Sequence, residues 1–249
     1  MTFKGLAVGV VATLALSTPA ISASLSLNSI DGVWQNASPS VSGEGTSQIR
    51  WGTPAYTTDG SFYSQLAYLL NGGQQSGYDF DASGDMVVED NTTFVLGTFT
   101  HLNYPIRDTL LTSVDLSLSF MIDGVTEAIT SVFSFDHWET HNEAEVCANG
   151  EGREDGLNIS GCADRVTATL NEAMSETFVI DGVTYVLDIS GFLYEGELMT
   201  DFWTLENQSN EALLVGSFRV VPSEVPLPAT GLLLLGGLAG MAMVRRRRR

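Results

Sequence analysis

The acidic segment from Asp79 to Asp90 has the residue types and the spacing of a calcium-binding loop. Oxygen-bearing side chains stand at its positions 1, 3, 5, 7 and 12, and Gly84 at position 6 would permit the sharp turn that such a loop requires. Ser83-Gly84 also suits an ordinary hairpin turn, and no flanking helices are indicated. The turn is the preferred interpretation, and calcium remains a candidate cofactor. Its ligands would be Asp79, Asp81, Ser83, Asp85 and Asp90, with Glu89 as a substitute for the last.

Two histidines are spaced so that they could hold zinc on a helix. His137 and His141 lie four residues apart, with Glu139 between them. The metalloprotease pattern instead places the glutamate directly after the first histidine. In a strand or a loop, residues four apart do not meet. We therefore expect an exposed polar loop here, and we expect His101 to be a packed or hydrogen-bonded structural residue.

The two cysteines are predicted to form a structural disulfide. Cys147 and Cys162 are the only cysteines, and the N-terminal signal described below predicts an oxidising compartment. Closing the glycine-rich loop between them would stabilise the domain by about 3 kcal/mol through lost unfolded-state entropy. A redox-active pair would be expected to have C-x-x-C spacing, which these residues lack.

Sequence motifs give no catalytic residue. The chain contains no G-x-S-x-G elbow, P-loop or dinucleotide fingerprint. With 30 acidic residues, no single pair of carboxylates points to glycoside hydrolysis. Trp34, Trp51, Trp138 and Trp203 could stack on sugar rings, although Trp51 and Trp203 lie in strand-like patterns and are expected in the core. We therefore predict a protein that is not an enzyme.

The charge of the exported part excludes nucleic acid as a partner. Between Asp31 and Glu224 lie all 30 acidic residues and only five arginines, which gives a net charge of −25. Such a charge repels phosphate backbones and anionic lipid headgroups. Adaptation to a salty environment is the simplest explanation of the charge, and attraction of divalent cations is the alternative.

The N-terminal residues 1–23 have the order of a secretory signal peptide. Lys4 supplies the positive start, Leu6 to Leu16 form a short apolar stretch, and small residues follow. Cleavage after Ala20, Ser22 or Ala23 would be compatible with this pattern. The expected partners are the Sec translocon and signal peptidase.

The C-terminal residues divide into a proline-containing linker with a motif (222–228) and a membrane helix with a basic tail (229–249). The uncharged run from Ala229 to Val244 has 16 residues, slightly fewer than the roughly 17–25 that span a bilayer. The tail would fix the C-terminus on the cytoplasmic side; it consists of Arg245, Arg246, Arg247, Arg248 and Arg249.

These C-terminal residues resemble the VPLPA variant of the PEP-CTERM sorting signal. The motif residues are Val225, Pro226, Leu227, Pro228 and Ala229. The resemblance implies recognition by an exosortase in an exopolysaccharide-producing Gram-negative bacterium. It implies an inner-membrane-anchored precursor that is then delivered to the cell surface or the extracellular matrix. Residues 227–231 also fit the sortase pattern L-P-x-T-G, and a plain tail anchor without processing is the third alternative.

The elements between the two signals are predicted to be short antiparallel strands. Val114 to Ile122 alternate apolar and polar residues, as a half-buried strand does. Asp123-Gly124 and Asp181-Gly182 are each predicted to form a two-residue hairpin turn. Residues 24–221 are therefore expected to form one jelly-roll-like β-sandwich. Further strands are predicted at Gln48–Trp51, Phe94–Thr100, Ile129–Phe135, Arg165–Leu170 and Leu213–Val221.

Three strings in this region resemble the choice-of-anchor K domain. They are Trp51-Gly52, the segment from Phe94 to Ile106 that contains G-T-F-T-H-x-N-x-P-I, and the segment from Gly161 to Val166. The resemblance implies an exported β domain next to a surface-anchoring signal and brings no catalytic residue with it. We expect a non-enzymatic surface or matrix protein in contact with extracellular polysaccharide. The alternative is a secreted hydrolase that acts on polysaccharide.

Overall fold

The computed structural model describes residues 24–55, 73–89, 92–142 and 144–221. The signal peptide, the linker with its sorting motif, and the C-terminal helix with its arginine tail were predicted for residues outside these ranges. Within the described ranges, no helix is long and apolar enough to cross a membrane.

The described part of the chain is almost entirely β-structure, with one short 3₁₀ turn, Gly156–Asn158, as its only helical element. The strands are β1 (Ser24–Ser38), β2 (Gln48–Trp51), β3 (Thr53–Pro54), β4 (Ser76–Ala82), β5 (Met86–Glu89), β6 (Thr93–Asn103), β7 (Ile106–Arg107), β8 (Ser113–Ile122), β9 (Ile129–Trp138), β10 (Asp164–Leu170), β11 (Phe178–Ile180), β12 (Val183–Tyr194), β13 (Glu197–Met199), β14 (Asp201–Thr204) and β15 (Gln208–Val220).

The strands form two large antiparallel sheets. The first sheet has six strands in the order β14-β10-β9-β8-β1-β5. The second has seven strands in the order β11-β12-β15-β6-β4-β2, and β13 pairs with β12 at its side. A small third sheet joins β3 and β7. The apolar residues of both large sheets belong to one continuous core.

Alternation of apolar and polar residues explains the strands, as the sequence predicts. In β8 every second side chain from Val114 to Ile122 is buried, because successive side chains of a strand point to opposite faces. The predicted strand at residues 48–51 coincides with β2, and the other four predicted strands lie within β6, β9, β10 and β15, apart from Val221 at the end of the last.

The two Asp-Gly sequences form different turns. Asp181 and Gly182 both have positive φ, 51° and 80°, and they alone join β11 to β12, so this two-residue turn is confirmed. The prediction for Asp123-Gly124 was wrong, because β8 and β9 pair only from Phe120 and Ile129 onward. Six residues therefore connect them, and only the glycine of the dipeptide has positive φ.

Aromatic side chains from both sheets fill the centre of the core. The Trp34 ring of β1 lies 5.0 Å from that of Phe135 and 5.3 Å from that of Tyr78, measured between ring centroids. Its indole N–H donates to the carbonyl oxygen of Ser47 at 3.1 Å. Trp34 therefore contacts residues of both sheets while its one polar atom remains hydrogen-bonded, as a buried indole requires.

Candidate metal centre

Polar side chains replace apolar ones at one end of the core. Along β6 the inward positions read Phe99, His101 and Asn103, and along β9 they read Phe135 and His137. Asp164 begins β10 with its side chain buried, and the buried Glu206 lies in the connection from β14 to β15. The same alternation that builds the core thus brings histidine and carboxylate groups from separate segments to one place.

The titratable groups of this cluster form two triads, each close enough to hold a metal ion. His101, His137 and Asp164 each offer one ligand atom, and these atoms lie within 4.8 Å of one another. The same limit holds for one oxygen each of Glu139, Asp164 and Glu206. Asp164 belongs to both groups and is therefore the centre of the cluster.

The hydrogen bonds of His101 leave one ring nitrogen free for a ligand. The Thr204 hydroxyl donates to the carbonyl oxygen of Asp164 at 3.3 Å, so it accepts a bond from Nδ1–H of His101, 2.8 Å away. Burial lowers the pKa of His101 well below its usual range, which keeps the ring neutral. Nε2 then has a lone pair, and no described group bonds to it. Metal-binding histidines have this same arrangement, in which one nitrogen is held by a neighbour and the other faces the ion.

His137 is held by two neighbours. Its Nδ1 lies 2.6 Å from the hydroxyl oxygen of Tyr78, and its Nε2 lies 3.2 Å from Oε2 of Glu139. Burial raises the pKa of Tyr78, so the phenol retains its proton and can donate it to Nδ1. Burial also lowers the pKa of His137. Both histidines of the cluster are therefore neutral. With Nδ1 accepting from Tyr78 and Nε2–H facing Glu139, His137 would have to give up one of these two hydrogen bonds to bind a metal, whereas His101 would not.

Three carboxyl groups lie together without a balancing cation. Burial is the main cause that raises the pKa of Glu139 and of Glu206 to about 7, and it raises that of Asp164 further from its usual range. Repulsion among the three acts in the same direction. Among the described residues, no arginine pairs with any of the three, and the neutral His137 meets Glu139 through a hydrogen bond. Burying carboxylates without a cation is costly, so the site favours either protons or a metal ion.

Several acceptor atoms of the cluster have no hydrogen-bond partner among the described residues. One oxygen of Asp164 accepts the backbone N–H of Thr140 at 2.6 Å, and one of Glu206 accepts Nδ2 of Asn142 at 2.8 Å. Their second oxygens do not bond, and each such buried group costs about 1–3 kcal/mol. The unpartnered acceptors of the cluster are His101 Nε2, Asn103 Oδ1, Asn142 Oδ1, Asp164 Oδ2 and Glu206 Oε2.

A disulfide-closed loop covers this end of the core. Cys147 and Cys162 are bonded, with 5.3 Å between their Cα atoms, which confirms the predicted disulfide. The segment that leads into the loop supplies Thr140 and Asn142 to the cluster, and the Thr140 hydroxyl donates to the carbonyl oxygen of Cys162 at 3.0 Å. Gly161 of the loop has a φ of +136° and lies against the cluster, so that a Cβ at this position would stand 2.6 Å from Oδ1 of Asn142. Only glycine lets the loop approach this closely.

The structure corrects the expectation for the segment from His137 to His141. His137 is buried at the end of β9, because it continues the inward positions of Phe133 and Phe135. His141 is exposed beyond the strand. Only the first histidine and Glu139 therefore join the cluster. His101 is buried and hydrogen-bonded, as expected, but its role extends to a shared site with His137.

The residues of the candidate calcium loop have other partners in the structure. Both oxygens of Asp79 pair with the guanidinium of Arg50, one of them at 3.0 Å. Asp85 accepts the backbone N–H of Ser29 at 3.0 Å. Asp81 is exposed at the end of β4, and Ser83 follows that strand. Asp90 lies outside the described residues, so calcium at this loop stays a prediction.

The tryptophans differ from one another in position. Trp51 is in the core, as expected. The expectation that Trp203 is also in the core was wrong: Phe202 occupies the inward position of β14, so Trp203 points outward.

Comparison with protein-family models gives no match, and comparison with curated proteins gives no significant match.

Proposed function

We propose that this chain is an exported, non-enzymatic β domain that binds one divalent transition-metal ion in its interior. One observation carries the proposal: at this end of the core, four acceptor atoms of fully buried residues have no partner among the described residues, on His101 and Asn103 of β6, on Asp164 and on Glu206. A cation would accept their electron pairs and offset the repulsion of the carboxylates. Three of the four residues lie in the strings through which the sequence resembles the choice-of-anchor K domain.

The ligand types indicate the class of metal. Imidazole nitrogen suits zinc, iron, copper and nickel, whereas calcium and magnesium take oxygen ligands only. Both cysteines are committed to the disulfide, so thiolate-bound metals are disfavoured. Zinc usually takes four ligands, and nitrogen and oxygen donors suit it. Such donors stand here in two triads that share Asp164, one with His101 and His137 and one with Glu139 and Glu206. We therefore propose zinc, with manganese or iron as chemically close alternatives.

The proposal includes the route of the protein. Two large antiparallel sheets around one core support a jelly-roll-like sandwich. The order of signal peptide, VPLPA motif, apolar run and arginine tail supports export through the Sec translocon, cleavage by signal peptidase and recognition by an exosortase. The protein would be anchored in the inner membrane first and then reach the cell surface or the matrix of a Gram-negative, polysaccharide-producing bacterium. The C-terminus should lie in the cytoplasm, so a reporter that is active only in the cytoplasm should be active when it is fused after Arg249.

The alternative of a polysaccharide hydrolase requires carboxylates that reach a substrate. Of the three carboxylates in the cluster, Asp164 and Glu206 are buried, and the Glu139 side chain is 12% exposed. A glycosidase places two carboxyl groups on either side of an accessible sugar bond. The cluster is therefore better suited to an ion than to a sugar chain.

Metal analysis of the full-length protein tests the proposal. After export, detergent purification and chelation, the protein would be dialysed against equal concentrations of zinc, manganese and calcium. We expect one zinc ion per chain and a higher melting temperature. A ligand at 100 times its Kd stabilises the folded state by about 2.7 kcal/mol.

Two ligand variants and one control make the test specific. Asp164→Asn and His101→Gln should lower the zinc content to background. Asp136→Asn removes an exposed carboxylate next to His137 in the same strand and should retain the zinc. Less than a tenth of an ion per wild-type chain, or full zinc binding by both ligand variants, would refute the metal centre.

A further inference from the structure

A row of three side chains crosses the outer face of the six-stranded sheet at its β14 edge. Arg165 of β10 is directly paired with Trp138 of β9 and with Trp203 of β14. Directly opposed residues of neighbouring strands point to the same face. The three side chains therefore form one unit on this face, here termed the Trp-Arg-Trp row, in which Trp138 is exposed and Arg165 and Trp203 are partly exposed.

The three side chains of the row are in contact. The Arg165 guanidinium carbon lies 4.8 Å from the ring centroid of Trp138 and 5.9 Å from that of Trp203. The two indole centroids are 6.5 Å apart. Within the described residues, the guanidinium forms no ion pair. Arg165 thus lies within cation–π distance of both tryptophan rings, which also approach each other, and these contacts hold both rings in place.

The row leaves aromatic surface in contact with water. Arg165 can cover only one face of each indole ring, and Trp138 is 46% exposed. Tryptophan is enriched where proteins bind partners, and an exposed ring held by its neighbours loses little conformational entropy on binding. Fold stability alone would not require a second large aromatic side chain on this outer face.

The neighbours of the row supply hydrogen-bonding groups. One position further along the same face, Thr167 is paired with Asp136 of β9 and Asp201 of β14. Asp136 is exposed, and Thr167 and Asp201 are partly exposed. Carboxylate and hydroxyl oxygens there can accept bonds from the hydroxyl groups of a ligand, while the guanidinium edge can donate to its oxygens.

Charge decides which ligand fits. The two aspartates beside the row, within an exported part of net charge −25, would repel a polyuronate or a sulfated chain. A neutral pyranose ring presents weakly positive C–H groups on its faces, which the negative faces of indole rings attract. Its hydroxyl groups can bond to the neighbouring carboxylates and threonine.

From this geometry we infer that the Trp-Arg-Trp row and its neighbours Asp136 and Asp201 form a binding site for a neutral polysaccharide of pyranose units. The inference rests on the proposal that the protein is exported into a polysaccharide matrix, and it does not require the metal ion. It assigns the contact with polysaccharide to one face and one edge of the domain.

Affinity electrophoresis of the full-length protein tests the inference. The detergent-solubilised protein would migrate through native gels that contain a neutral glucan panel (hydroxyethylcellulose, laminarin or dextran) or the polyuronate alginate. We expect retardation by at least one neutral glucan and none by alginate. Trp138→Ala and Trp203→Ala should each weaken the apparent affinity at least tenfold, and Trp138→Phe should restore part of it.

Two controls separate binding from folding and from the metal. Met121→Ala removes an exposed apolar side chain from the outer face of the same sheet, distant from the row, and should bind like the wild type. Zinc content is measured in every variant, so loss of sugar binding with zinc retained is distinguishable from failure of the metal centre. Retardation by alginate alone, no retardation by any glucan, or unchanged binding by both alanine variants would overturn the inference.

Discussion

His137 and Trp138 are adjacent in β9 and belong to opposite surfaces of the same sheet. The imidazole of His137 is buried in the candidate metal centre, and the indole of Trp138 lies on the outer face beside Arg165. Asp164 and Arg165 in β10, and Thr204 and Trp203 in β14, repeat this division. Three neighbouring strands thus support the candidate metal centre on one face and the proposed sugar site on the other.

We predict that Asp164→Asn abolishes the response to zinc without unfolding the protein. The substitution removes the central buried carboxylate and therefore also removes repulsion from Glu139 and Glu206. The metal-free variant should be at least as stable as the metal-free wild type, whereas added zinc should stabilise only the wild type. Thermal unfolding with zinc and with a chelator measures both effects. A metal-free variant that is less stable by several kcal/mol would show that Asp164 serves folding directly.

We predict a measurable coupling between Trp138 and Arg165. A double-mutant cycle with Trp138→Ala and Arg165→Gln, followed by urea denaturation, should give an interaction energy of about 0.5–1 kcal/mol, the usual range for exposed cation–π pairs. Pairing Arg165→Gln with Met121→Ala should give a value near zero, because these residues are not in contact. Equal values in the two cycles would show that the stacking contributes nothing to stability.

Removal of the disulfide should weaken both the domain and its metal centre. The double variant Cys147→Ser, Cys162→Ser releases the loop and should lower the free energy of unfolding by about 3 kcal/mol. Because Thr140 donates both to Asp164 and to the carbonyl oxygen of Cys162, release of the loop should loosen the support of Asp164. Zinc affinity should then fall about 10–100-fold, as it does when supporting residues of metal sites are lost. Calorimetry with zinc measures the affinity. An unchanged affinity would show that the strands alone hold the ligands.

Calcium should stabilise the protein only through its ionic strength. In the structure Asp79 pairs with Arg50 and Asp85 accepts a backbone N–H, so these two carboxylates already have partners. The melting temperatures in calcium chloride and in sodium chloride of matched ionic strength should agree, and Asp81→Ala should not alter the response. A calcium-specific increase that Asp81→Ala removes would instead establish the calcium loop.

Local patterns in the sequence predicted the strands but not the site. Alternation identified β2 and β8, because burial of one face of a strand requires every second residue to be apolar. The metal cluster depends on the register of β6, β9 and β10, which brings together residues 101, 137 and 164. No short stretch of sequence contains that information. A polar residue at an inward position, such as His101 after Phe99, was the available signal.

An error of one residue in the alternation of β14 accounts for the wrong prediction that Trp203 lies in the core. In β14, Phe202 and Trp203 are both large and apolar, so composition alone could not decide which one points inward. A shift of one residue exchanges the two faces of a strand. Pairing with Arg165 settles the matter, and that pairing is visible only in three dimensions.

The position of β15 has a consequence for the order of folding during export. Although β15 is the last strand of the chain in the described residues, it lies inside the seven-stranded sheet, between β12 and β6. The β11-β12 pair and the β6-β4-β2 group therefore remain separate until residues 208–220 become available. A polypeptide that crosses a membrane from its N-terminus would therefore remain incompletely folded, and so able to pass through a translocon, until nearly the whole domain has passed. If the chain is exported as proposed, completion of this sheet would coincide with the arrival at the membrane of the proposed sorting motif, which begins at Val225.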